Sequence, residues 1–99
     1  MDQLKTLSDF LIAVANDPRI SITHIGIYVA LFEYWKEHNF QNPFHAFSHE
    51  IMRIAKISSS GTYHKIIHDL HSYCYIRYEP SYKHNRGSKV HLKISVSCN

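Results

Sequence analysis

SHEIMRIAKI (residues 48–57), SSSGTYHKIIHDLHSY (58–73), CYIRYEP (74–80), SYKHNRG (81–87) and SKVHL (88–92) follow one another through the second half of the chain. The first piece reads as a short amphipathic helix. Ser48 offers a hydroxyl to its opening N–H groups, Ile51, Ile54 and Ala55 turn inward, and Ile57 plugs the turn beyond it. The serine run 58–60 breaks and recaps the chain, and Gly61 relaxes the first turn of the next helix. Tyr63, Ile66, Ile67 and Leu70 recur at spacings of three and four and must face inward. Thr62, His64, Lys65, His68 and His71 are then left on the outer face. After Tyr73 the period changes to two. Ile76 and Tyr78 share one face of a strand, with Arg77 and Glu79 on the other. Val90, Leu92, Ile94 and Val96 alternate with His91, Lys93 and Ser95 in a second, half-buried strand. The segment 80–87 that joins these strands is too long for a tight hairpin turn and carries Lys83, His84 and Arg86, with Lys89 nearby.

Upstream, Leu4 to Asn16 reads as a helix with Leu4, Leu7, Leu11 and Val14 three and four apart, and Asp17-Pro18 ends it. Phe10 and Ile12 widen the apolar surface past one stripe, so this helix is expected to meet the domain and a second copy of itself. Ser21 or Thr23 caps a further helix to about His38, with Ile25, Tyr28, Leu31, Phe32 and Trp35 on its buried side. Residues 44–47, alternating and aromatic, read as a single edge strand.

Ninety-nine residues make one domain, spanning 1–99, with a modest core. No apolar run reaches the roughly 18 residues of a membrane span. The acidic, amphipathic start lacks the features of a secretion signal, so a cytoplasmic location is expected. Cys74 and Cys98 form no C-x-x-C pair; in a reducing compartment both are expected as free thiols, and a link between them would be an oddity. The net charge of +3 conceals an asymmetry, because residues 1–50 sum to −3 and residues 51–99 to +6. Such a distribution is the footprint of a polyanion partner.

The order helix, edge strand, helix, helix, strand, wing, strand over residues 21–96 resembles the winged helix-turn-helix family of prokaryotic DNA-binding domains. The string Leu70-His71-Ser72-Tyr73-Cys74-Tyr75-Ile76 is similar to the end of that family's second helix-turn-helix element, except that Cys74 stands where glycine is usual. Glycine serves there because helices often end in a left-handed residue; either a cysteine takes that conformation at a cost of roughly 1 kcal/mol, or the helix ends differently. The turn between the two helices also looks one residue longer than the commonest spacing. The resemblance implies a mainly α fold with a small β-hairpin wing, preceded by an extra N-terminal helix (residues 1–17).

It further implies a recognition helix from Ser60 to Tyr73. Ser58, Ser59, Ser60, Gly61, Thr62, His64, Lys65 and His68 would then face double-stranded DNA. Lys65 suits guanine O6/N7 or a phosphate, Thr62 a thymine methyl, and the serines a phosphate at a helix N-terminus. Tyr82, Lys83, His84, Arg86 and Lys89 would form the wing contacts. His64, His68 and His71, at i, i+4 and i+7, have a spacing that chelates zinc, but no cysteine or acidic partner completes a site, so no metal and no cofactor is expected. Charged histidines on such a face would also bind phosphate better than neutral ones. No glycine-rich phosphate loop or nucleophile signature points to catalysis. The expectation is a small homodimeric transcriptional regulator. The alternatives are a replication-initiation or recombination accessory factor of a mobile element, or a winged-helix protein-interaction module.

Overall fold

The computed structural model describes residues 2–81 and 87–92. These residues form α1 (Asp2–Val14), α2 (Ile22–Glu37), β1 (Phe44–Ala46), α3 (Ser48–Ala55), α4 (Ser60–Ser72), β2 (Arg77–Glu79) and β3 (Ser88–His91). The architecture is mainly helical with a small antiparallel sheet in the order β1–β3–β2. Ile94 and Val96, expected to continue the last strand, lie outside the described residues.

In the sheet, Val90 stands opposite both Phe44 and Tyr78 and is wholly buried. His45, Lys89 and Glu79 occupy the adjoining register on the other face. One apolar and one polar face is the usual solution for an antiparallel sheet packed on a single side. Asn42 extends the β1–β3 ladder by one step. Its Nδ2 donates to the Leu92 carbonyl at 3.1 Å, and the Leu92 N–H donates to its Oδ1 at 3.0 Å.

Helix α2 is the central element, burying Ile27, Tyr28, Ala30, Leu31, Phe32, Tyr34 and Trp35. Ile51 of α3, Ile67 and Leu70 of α4, and Ile76, Val90 and Leu92 from the sheet region close the core around it. Ile51 alone of α3 is fully buried; Ile54 and Ala55 pack on the core edge. Gly87 passes so close to β1 that an added Cβ would stand 2.7 Å from the Ala46 carbonyl oxygen.

Three helices end in the same way without glycine. Asn39, Lys56 and Cys74 have φ of 61°, 63° and 71°. After each, the next residue's N–H reaches back to a carbonyl five positions earlier: Phe40 to Trp35, Ile57 to Met52 and Tyr75 to Leu70, each at 2.9 Å. The left-handed residue itself bonds three positions back, to Lys36, Arg53 and His71 respectively. This is the Schellman closure, in which the hydrogen bonds and an apolar contact across the turn offset the strain of a left-handed side chain. Phe40 packs edge-on against Trp35 at 5.0 Å, and Met52 and Ile57 both pack on the core edge. Cys74 therefore adopts the glycine conformation that the string 70–76 calls for. It is disulfide-bonded, contrary to the expectation of a free thiol, because compartment rules carry no information on geometry. Cys98 lies outside the described residues.

Helix α1 departs from its expected face. Phe10 and Val14 are buried and Leu7 partly so, while Leu4, Leu11 and Ile12 are 56%, 43% and 69% exposed. The Phe10 ring lies flat on Tyr28 at 3.7 Å and edge-on to Tyr75 at 5.4 Å, so an aromatic stack, not the leucine stripe, sets the seat of the helix.

Candidate nucleic-acid interface

Helix α4 owes its start to Ser59, whose Oγ accepts the Thr62 N–H at 3.2 Å. In α3, by contrast, the cap position is Phe47 and no side chain caps the first turn, so Ser48 is the first helical residue and not the cap expected of it. From Ser59, α4 buries Tyr63, Ile66, Ile67 and Leu70 and exposes Ser60, Gly61, Thr62, His64, Lys65, His68 and His71, the division that its spacing predicts.

The exposed side chains fall into two groups. Lys65 leans toward Asp69, with Nζ 3.1 Å from Oδ2, and Asp69 also takes His24 Nε2 at 3.0 Å. The Ser21 N–H donates to His24 Nδ1 at 3.0 Å, which makes Nδ1 the acceptor and leaves the Nε2 proton for Asp69. Ser21 Oγ lies 2.8 Å from the same Nδ1. The Asp69 carboxyl is held below the ordinary carboxylate range, first by the hydrogen bond from His24 and then by Lys65. Nearby, Arg19 grips Asp17 through Nε and Nη2 at 2.9 and 2.8 Å and lies over the Tyr73 ring at 4.0 Å. The Tyr75 hydroxyl donates to the same Asp17. This polar belt ties the α1–α2 connection and the start of α2 to the end of α4.

The second group, His64 and His68, turns the other way. Together with residues 46–49, 63, 78, 80–81 and 87–88 they line an open groove of about 440 Å³ between the α3 start, α4 and the β2–β3 hairpin. His68 sits edge-on to the Tyr78 ring at 5.4 Å, and Ser88 Oγ donates to the Tyr78 hydroxyl at 3.3 Å. His64 Nδ1 is 2.8 Å from the Ser60 carbonyl, so Nδ1 carries a proton. Among the described residues, no carboxylate lines the groove. His71 is committed elsewhere, its Nδ1 accepting the Tyr78 N–H at 3.0 Å.

The sequence-derived candidates thus divide. The structure brings His64 and His68 into the groove and places Lys65 beside it on the Asp69 flank. Ser58 lies exposed in the turn, Ser59 serves as the cap, and Ser60, Gly61 and Thr62 open α4 at the surface. Lys89 lies on the polar face of the sheet, in register with His45 and Glu79, and does not line the groove. Tyr82, Lys83, His84 and Arg86 lie outside the described residues. The sequence reading misses His49 and Ser88. Their place depends on the pairing of Ala46 with Ser88, which brings the β1–α3 junction to the hairpin root, and no local pattern signals that pairing. Among the described residues, no three His, Cys, Asp or Glu side chains are grouped to hold a metal ion, and no helix is long and apolar enough to cross a membrane. Comparison with protein-family models, curated proteins and solved structures finds no match.

Proposed function

We propose that this chain is a winged helix-turn-helix DNA-binding protein that acts by occupying its site, most simply as a small transcriptional regulator. The observation that carries this reading is the order α2–β1–α3–α4–β2–β3 on a β1–β3–β2 sheet, with the exposed face of α4 and the hairpin root flanking a groove that no described carboxylate lines. In such a protein α4 enters the major groove and the hairpin lies along flanking backbone. The +6 balance of residues 51–99 supplies the attraction to phosphate. A mobile-element replication or recombination factor would use the same surface.

Dimerisation through α1 belongs to the same proposal. Leu4, Leu11 and Ile12 give that helix an outer apolar face, and a two-fold pair would present two α4 helices to successive major grooves.

The test is binding of random-sequence duplex DNA across a salt series, with the oligomeric state determined in parallel by sedimentation. The expected result is affinity that falls steeply with salt. Replacing Lys65 and Arg86 together by Ala should reduce the log–log slope by about 0.9 for each phosphate no longer neutralised. Absence of binding at low salt overturns the DNA reading and favours a protein partner. A monomer at binding concentrations, or a dimer that Ile12→Glu leaves intact, overturns the α1 interface.

A further inference from the structure

We propose that the groove between α3, α4 and the hairpin root is a proton-linked seat for a backbone phosphate, formed by His49, His64 and His68, so that DNA is held more tightly as pH falls. The proposal rests on the DNA reading above and adds a site and a regulatory property to it.

Geometry makes His64 the centre of the argument. Its Nδ1 proton is committed to the Ser60 carbonyl, so in the neutral ring Nε2 presents only a lone pair. A lone pair repels a phosphate oxygen. Protonation turns the same atom into a charged donor, and charge-assisted hydrogen bonds are roughly twice as strong as neutral ones. His24 and His71 have the opposite arrangement, with Nδ1 accepting from a backbone N–H, so their neutral rings already carry an Nε2 proton. His49 and His68 have no hydrogen bond among the described residues, and both border the same space, their rings resting beside those of Phe47 and Tyr78.

Among the described residues, no acidic group compensates the charge of these rings. The other titratable groups facing them, among the described residues, are the phenols of Tyr63 and Tyr78, and burial holds the Tyr63 phenol above its ordinary range. β1 contributes Ala46 and β3 contributes Ser88, neither ionisable. The nearby acids are engaged elsewhere: Glu50 takes the Tyr34 hydroxyl at 2.6 Å, Glu79 pairs with Arg77 at 3.3 Å, and Asp69 belongs to the polar belt. Two or three imidazolium rings in one groove repel each other, and an anion relieves that repulsion. Anion binding and proton uptake are therefore linked. Imidazole is the side chain whose ordinary titration falls between pH 5 and 8.

The experiment measures affinity for random-sequence duplex DNA between pH 6 and pH 8 at constant ionic strength. An imidazole whose pKa rises by one unit on meeting an anion contributes up to about tenfold. With two or three such rings acting together, the wild-type protein should bind at least about tenfold more tightly at pH 6 than at pH 8. His64→Gln should remove a large part of this gain, and the triple variant at 49, 64 and 68 nearly all of it. His64→Lys, permanently charged, should bind tightly with a flattened profile. His45→Gln, on the polar sheet face, should keep the wild-type profile. DNA binding without a pH gain, or a gain that survives the triple variant, overturns the proton-linked seat while leaving DNA binding intact. No binding at either pH overturns both readings.

Discussion

Two polar regions flank α4, and they use the same residue types to opposite ends. On one side, Ser21, His24, Asp69 and Lys65 form a continuous hydrogen-bonded chain, in which His24 is only 5% exposed and both of its ring nitrogens have partners. On the other side, His49, His64 and His68 line open space, and each has at least one nitrogen without a partner among the described residues. A buried polar side chain must have its hydrogen bonds made, or it carries the full desolvation penalty. A surface one need not. Histidine is thus a structural residue in the belt and an available ligand group in the groove. The difference shows that commitment of the ring nitrogens, more than residue type, separates scaffold from candidate site.

The largest expected effect comes from breaking the belt. His24→Ala strips the acceptor from the Ser21 N–H and the donor from Asp69, and opens space beside Tyr73. It should cost about 2–4 kcal/mol in urea-induced unfolding, as a buried truncation that also orphans polar groups. A double-mutant cycle with Asp69→Asn should show coupling of at least about 0.5 kcal/mol, as for residues in one network. Additive losses would mean that the chain is geometric only.

The groove side has its own point of failure in Gly87. A methyl group there would meet the Ala46 carbonyl oxygen at 2.7 Å, where β1 and β3 pair through Ala46 and Ser88. Gly87→Ala should destabilise the protein by about 1–3 kcal/mol, in line with other overpacked sites. It should also weaken DNA binding beyond the stability loss, because the hairpin root shifts relative to α4. Unchanged binding in the folded variant would detach the hairpin root from the interface.

How far these two regions are legible in the sequence follows from the range of the interactions that make them. The helices come through because Tyr63, Ile66, Ile67 and Leu70 announce a buried stripe within a dozen residues. The exposed face of α4 is its complement and is legible with it. The conformation of Cys74 is readable only in part. The string 70–76 resembles a helix end that takes a left-handed residue, but a cysteine there leaves open a different ending, and only the backbone closure from Tyr75 to Leu70 decides it. The belt is not readable. His24 and Asp69 are 45 positions apart, and nothing near Asp69 in the chain points it at a buried histidine. His49 escapes for the same reason, since only sheet register brings residues 46–49 to the hairpin. The seat of α1 misleads because its leucine periodicity is conspicuous, whereas one aromatic stack, Phe10 on Tyr28, decides the docking. Local periodicity encodes faces; it does not encode which faces meet.

Acid should separate the regions further. The carboxyls of Asp17 and Asp69 are both depressed in the folded protein, Asp17 mainly by the Arg19 hydrogen bond and Asp69 mainly by His24. A depressed carboxylate contributes stability that is fully present above its unfolded pKa, near 3.8, and is lost as pH falls through the lower folded value. Stability should therefore decline below about pH 4, the ordinary carboxylate range, and Asp69→Asn should show a shallower decline. Between pH 6 and pH 8 these two carboxyls contribute no change, whereas the groove is expected to change its affinity for DNA across that window. Identical acid profiles for Asp69→Asn and the wild type would remove Asp69 from the account.

The smallest stability effect belongs to Lys65, the belt residue that stands beside the groove. Lys65 closes the belt through Asp69, yet its side chain is 73% exposed. An exposed i, i+4 ion pair contributes about 0.3–0.5 kcal/mol, so Lys65→Ala should barely move the unfolding midpoint. Its effect on DNA binding should be disproportionate: removing one phosphate partner lowers the salt slope by about 0.9, and removing a base partner costs discrimination at a single position. A change in slope with uniform weakening over all sequences would mark Lys65 as a backbone contact. An unchanged slope with relaxed preference at one base pair would mark it as a reader. If neither changes, Lys65 belongs to the belt alone, and the interface lies wholly on the groove side of α4.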